Sequence, residues 1–197
     1  MKKIDMIIKA PHFYTMAGEG VGYETGVAMA IDGGKILAIE EEGIIEQEYT
    51  GEEVLELDHH AIFPGFIDAH MHTGLAIMRG LAQDTNNWMM YGLQPFDNAA
   101  TQEEKLVGSK LAIIEAIKSG TTTLGDYEIH MDPVCEFIHK IGARGNIAYT
   151  IREAKRRVYN PGELYEFDKS LGEKSLHENL RLYDKWHNKG DGRIKIL

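Results

Sequence analysis

Downstream of Pro64-Gly65 the chain repeats one unit, a short apolar run followed by helical periodicity, and no tight-turn signal separates successive runs. Thr101-Gln-Glu-Glu104 is a capping box, and Leu106, Val107, Leu111, Ile114 and Ile117 recur behind it at helical spacing until Gly120. Thr121 to Leu124 then reads as a strand that ends at Gly125-Asp126-Tyr127-Glu128. Asp132-Pro133 opens the next helix, with Asp132 as an N-cap carboxylate and proline at the first helical position, and Gly142 closes it. Asn146 to Ile151 is a further strand, followed by a polar stretch from Arg152 to Lys174 long enough to be a functional loop or lid. Ser175-Leu-His-Glu178 is a second capping box, opening a helix through Leu180, Tyr183 and His187 that ends near Gly190, and Arg193 to Leu197 begins another strand. Such alternation is the pattern of parallel βα units, so an α/β fold is expected. Counting the run at Phe66–His72, four strands are expected, half of an eight-stranded (β/α)8 TIM barrel; a half leaves open parallel edges, so its complement is itself an expectation.

Residues 4 to about 58 have a different grammar. Ile4–Ile8, Val27–Ile31 and Lys35–Ile39 are apolar or alternating runs, and Asp32-Gly33-Gly34 between the last two is a hairpin signal because glycine accepts positive φ. A small antiparallel β domain over residues 1–60 is expected to precede a barrel segment over 61–197. Its core is thin enough to need cover from other strands.

With 31 acidic against 21 basic residues, a net charge of −10, nucleic acid and anionic membranes are not expected as partners. The opening Met-Lys-Lys-Ile-Asp-Met-Ile-Ile lacks the roughly 7–15-residue apolar core of a signal peptide, and no run approaches the roughly 18 apolar residues of a membrane span, so a cytoplasmic location is expected. The single cysteine, Cys135, lies in an apolar-periodic stretch and is expected to be a packed small hydrophobe.

The candidate site is Phe63-Pro-Gly-Phe-Ile-Asp-Ala-His-Met-His72. On a strand, Ile67, Ala69 and Met71 would point one way and Asp68, His70 and His72 the other. Two imidazoles at the C-terminal end of a barrel strand are half of a metal site, because imidazole suits zinc and related first-row ions. Asp68 is expected to orient a ligand or its loop, and Asp126 and Glu128 to be hydrogen-bonded structural carboxylates near the same mouth. Of the other histidines, His59 and His60 precede the bend before this strand, His139 and His187 fall on expected helices, and His12, His130 and His177 have no partner at ligand spacing.

That stretch, with Met78-Arg-Gly80, Ser119-Gly-Thr-Thr-Thr123 before Asp126, and Glu178-Asn-Leu-Arg-Leu-Tyr-Asp-Lys-Trp186, resembles the metal-dependent amidohydrolase superfamily. The resemblance is to its subgroup of methylthioadenosine/S-adenosylhomocysteine deaminases, guanine deaminase-like enzymes and triazine chlorohydrolases. It implies that the N-terminal domain is part of a β-sandwich and that one divalent metal, Zn2+ or else Fe2+, is held by His70 and His72. It further implies that the remaining ligands and the acid/base carboxylate lie beyond Leu197, so that no catalytic residue is in this chain. The implied activity is hydrolytic deamination of an N-heterocycle by a metal-activated water, in an oligomeric enzyme completed by a second polypeptide that carries the C-terminal half of the barrel. Substrate contacts carry over to Asp97, for ribose hydroxyls, and Arg152, for a carboxylate. Asp97 stands where the family often has Glu, and Ser175 where an arginine can serve a substrate carboxylate. A hydroxyl cannot replace a guanidinium fork, so a smaller purine, nucleoside or related heterocycle is expected rather than S-adenosylhomocysteine. Two other readings stay open: a non-catalytic metal-binding or structural half-barrel, and a fragment of a full-length amidohydrolase.

Overall fold

The computed structural model describes residues 1–81, 83–84, 86–155, 157, 159–160 and 162–197. They form two compact units, Met1–Pro64 and Gly65–Leu197.

The first unit holds β1 (Lys2–Lys9), β2 (His12–Tyr14), β3 (Tyr23–Glu24), β4 (Val27–Asp32), β5 (Lys35–Glu41), helix α1 (Glu42–Glu48), β6 (Tyr49–Glu56) and β7 (Ala61–Ile62). The hairpin is where the sequence places it: Asp32 pairs with Lys35 across Gly33 and Gly34, which have φ of 58° and 70°. The unit is not wholly antiparallel, however. Helix α1 carries the chain across, so β6 returns parallel to β1 in a sheet of order β5-β4-β1-β6, and β7 pairs parallel with β2 in a second sheet, β3-β2-β7. That last pairing takes the unit to Pro64, past the expected boundary at residue 60. Ile4, Ile7, Ala28 and Ala30 pack with Ile45 of α1, while Val27 and Met29 pack with Phe13 and Ile62 of the smaller sheet. Successive residues of β4 thus face opposite partners, which is why its apolar run is continuous.

The second unit comprises β8 (Phe66–Met71), a 3-10 turn (Thr73–Met78), a π turn (Met89–Leu93), α2 (Gln94–Ala99), α3 (Gln102–Lys118), β9 (Thr121–Glu128), α4 (Asp132–Ile141), β10 (Arg144–Tyr149), α5 (Lys169–Trp186) and β11 (Ile194–Ile196). Its sheet is parallel in all three pairings, with order β11-β10-β9-β8. The Thr101 capping box forms with both of its hydrogen bonds, and Gly142 closes α4 in the left-handed region. One core joins Ile113 of α3, Val134, Cys135 and Ile138 of α4, and Leu182 of α5 to Leu124, Ile147, Ile194 and Ile196 of the sheet. Cys135 is wholly enclosed there, and burial pushes its thiol up to about 12, as suits an inert packed side chain.

Two helix starts differ from expectation. Asp132 is not the N-cap of α4, which is Met131. Its carboxylate accepts instead from Trp186 Nε1 at 2.6 Å and pairs with Arg181 and Lys185 at 2.6 and 2.7 Å, tying α4 to α5. Helix α5 begins at Lys169, capped by Asp168, and Ser175 lies well inside it rather than at its start. The Ser175 hydroxyl is satisfied within the fold: it donates to Gly172 O at 3.0 Å and accepts from Arg152 N at 3.1 Å. A serine so bonded no longer competes with the helix, so its capping preference does not set the boundary.

Candidate functional site

His70 is the penultimate residue of β8 and His72 follows directly after its end. In the parallel pairing of β8 with β9, Asp68 lies beside Leu124 and Met71 beside Asp126, so Ala69 and His70 stand against Gly125 alone. Two residues opposing one is a bulge, a device that re-aims side chains beside functional sites. Gly125 is what permits it, since a Cβ there would lie 2.6 Å from Ala69 O. The bulge overturns the strict alternation expected from sequence. Leu124 and Asp126 are two apart and share a face of β9, so Asp68 and Met71 beside them share a face as well. Asp68 therefore leaves the imidazole face, and its carboxylate accepts from His70 N at 3.3 Å inside the bulge.

The two rings meet edge to face, their centroids 5.1 Å apart, and Tyr127 packs on both, 5.4 Å from His70 and 4.7 Å from His72. His72 Nδ1 is buried with no hydrogen-bond partner among the described residues; Glu128 Oε1 stands off at 3.7 Å. Adjacent imidazoles with unspent ring nitrogen capacity fit a borderline divalent metal. Among the described residues no group of three or more His, Cys, Asp or Glu side chains is arranged to hold an ion, so the pair is a partial site.

Asp126 anchors the turn that follows. It accepts from Thr73 N at 3.3 Å and from the Thr73 hydroxyl, and burial pushes its carboxyl up against those hydrogen bonds. Glu128 is likewise raised by burial, opposed by the charges of His72 and Lys105. Asp126 is thus a hydrogen-bonded carboxylate built into the fold near the end of β9, while Glu128 faces a cavity beside His72.

A cavity of about 530 Å3 opens beside His72 and is lined by Tyr127, Glu128, Asp97 and Arg152, with Met89, Met90 and Leu93 as an apolar wall. His70 is not among its lining residues. Asp97 reaches it from α2, but one oxygen is committed: Oδ1 accepts from Lys105 Nζ at 2.6 Å, with the two side chains 6% and 11% exposed. Arg152 lies just past β10, its backbone held by Ser175 and its side chain on the cavity. In the polar stretch after it, of which residues 156, 158 and 161 lie outside the described residues, Ala154 and Phe167 form an antiparallel bridge, and Lys155, Tyr159 and Tyr165 line the same cavity. Sequence reading passed over Lys105, because one lysine in an amphipathic helix carries no sign that it is buried against a carboxylate.

The paired imidazoles lie at the C-terminal end of one strand of a parallel sheet, beside a cavity, which is the end at which parallel α/β folds place their functional sites. Residues 61–196 match the Amidohydrolase family, and the chain belongs to that family. Over 157 residues it is 32% identical to a 5-methylthioadenosine/S-adenosylhomocysteine deaminase of Thermoanaerobacter pseudethanolicus, covering 79% of this chain and 34% of the relative. Over 195 residues it is 28% identical to a 5'-deoxyadenosine deaminase of Methanococcoides burtonii, covering 98% of this chain and 41% of that one. The fold is similar to that of an adenosine deaminase from Xanthomonas campestris with bound zinc, with a TM-score of 0.82 at 19% identity over 98% of this chain and 42% of the other. The chain thus spans well under half the length of these proteins.

Proposed function

We propose that this chain is the N-terminal, metal-anchoring part of a hydrolytic deaminase acting on a purine, a nucleoside or a related N-heterocycle. The observation that carries the reading is the pair His70 and His72, whose rings meet edge to face beside the β8 bulge, with His72 lining a cavity of about 530 Å3. Family membership and the deaminase names of the relatives support the reaction class. In this reading the second unit is the first half of a (β/α)8 barrel, and the first unit is part of a β-sandwich. Further ligands and the acid/base carboxylate come from elsewhere in a longer chain or from a second polypeptide.

His70 and His72 would hold one divalent ion, most simply zinc, which when bound supplies a nucleophilic water at neutral pH. In the net reaction water replaces a ring amino group by oxygen and ammonia leaves. The residues of this chain bind and orient. Tyr127 and the Met89, Met90 and Leu93 wall give a heterocycle apolar surface, and the cavity volume suits a small molecule. Asp97 and Arg152 supply polar contacts to hydroxyl or anionic groups. Lys105 fixes the Asp97 carboxylate, so rotation of that side chain is restricted before substrate arrives.

The test is metal content and ammonia release in the assembled enzyme, with adenosine, 5'-deoxyadenosine and methylthioadenosine as substrates. His70→Ala is expected to empty the metal site and abolish ammonia release while far-UV circular dichroism stays unchanged. Normal turnover by that variant would refute the assignment.

A further inference from the structure

His72 is unevenly solvated. Its side chain is 35% exposed, yet Nδ1 is fully buried and lacks a hydrogen-bond partner among the described residues. The exposed part of the ring is therefore its other edge, which carries Nε2. An imidazole nitrogen buried without a partner is costly, so the fold must offer something to it. The nearest carboxylate is Glu128, whose Oε1 is 3.7 Å from Nδ1, about 1 Å beyond a hydrogen bond.

The surroundings of Glu128 fit an acceptor held in place. It ends β9, the strand that also places Tyr127 against both imidazoles and Asp126 under Thr73. Glu128 and Lys105 line a common small cavity of about 40 Å3. Lys105 is in turn tethered to Asp97 at 2.6 Å.

We infer that Glu128 is a positioning residue for His72, accepting a hydrogen bond from Nδ1–H and so presenting the Nε2 lone pair at the exposed edge of the ring. The inference deepens the proposed function and rests on its reading of His72 as a ligand. Its physical content is a fixed tautomer: with Nδ1 protonated, Nε2 is the only basic nitrogen of the neutral ring. A carboxylate that holds a ligand imidazole in this way also raises its basicity, and losing such a partner typically weakens metal binding about 10- to 100-fold.

The experiment reads the tautomer and the affinity separately. Long-range 1H–15N correlation spectra of the metal-free full chain, labelled with 15N-histidine and assigned through His72→Gln, report which nitrogen of His72 carries the proton. The expected result is the Nδ1–H form in the unsubstituted chain and in Glu128→Gln, whose amide oxygen still accepts, and loss of that preference in Glu128→Ala. Competition of Co2+ against a chelator is expected to weaken about 10- to 100-fold in Glu128→Ala and only a few-fold in Glu128→Gln. An Nε2–H tautomer in the unsubstituted chain would overturn the inference without any variant. Equal losses in the Ala and Gln variants, with both folded by circular dichroism, would also overturn it, because they would mark Glu128 as a direct charge on the ion. If the assembled enzyme binds no Co2+ while His72 is held as Nδ1–H, the metal reading fails and the hydrogen bond stands.

Discussion

The parallel sheet has two faces that obey different rules. On the helix-covered face Leu124, Ile147, Ile194 and Ile196 meet Ile113, Cys135, Ile138 and Leu182 in a closed apolar core. At the mouth, His70 and His72 sit partly in solvent, packed on one tyrosine and held by a bulge rather than by volume. The first is over-determined by many small contacts, so single losses cost stability and leave chemistry alone. The second depends on a few backbone placements, so the same size of change costs chemistry and little stability.

This contrast can be broken by substitution. Ile138→Ala, at a fully buried position between α4 and the sheet, is expected to cost about 2–5 kcal/mol in chemical denaturation while the folded fraction keeps its Co2+ affinity. A fall in affinity at saturating folding conditions would show the faces to be coupled. Gly125→Ala forces a methyl against the Ala69 carbonyl and is expected to cost about 1–3 kcal/mol. It should also abolish Co2+ uptake, since relief of the clash requires the bulge to move; retained uptake would remove the bulge from the argument.

Asp132 sharpens the helix side. Burial raises its carboxyl, but hydrogen bonds from Lys185, Trp186 and Arg181 outweigh that and hold it at about 2. A carboxyl depressed in the folded state stabilises above its unfolded value near 4, and that contribution is lost as pH falls toward 2. Acid titration of unfolding free energy should therefore show about 1–2 kcal/mol disappearing between roughly pH 4 and pH 2, absent in Asp132→Asn. The smallest stability effect is expected at the mouth: His70→Ala, at an exposed position, should change unfolding free energy by no more than about 0.5 kcal/mol while metal binding is lost. A larger loss of stability would mean that the imidazoles also carry the fold.

Much of this was legible in the chain itself. Capping at Thr101, the stop at Gly142 and the turn at Gly33-Gly34 are local events, decided by side chains within a few residues of the backbone they satisfy, and all three formed as read. His70 and His72 were visible for a similar reason, because spacing of two on an extended run is short-range information.

Tertiary structure decided what depends on a second strand or helix. Asp132 became a hub for α5 rather than a cap because Trp186, Arg181 and Lys185 lie about fifty residues away in sequence, and Ser175 was absorbed into α5 once Arg152 N could bond to it. The parallel return of β6 depended on a short crossover helix, and the burial of Lys105 on where α2 set Asp97. Asp68 lost its place on the histidine face because Gly125, on another strand, let two residues oppose one. Residue order determined which groups could serve the site, through spacing and propensity. Their final aim was set by cross-strand register and by the partners that burial forces polar groups to find, and neither is written in a local stretch of chain.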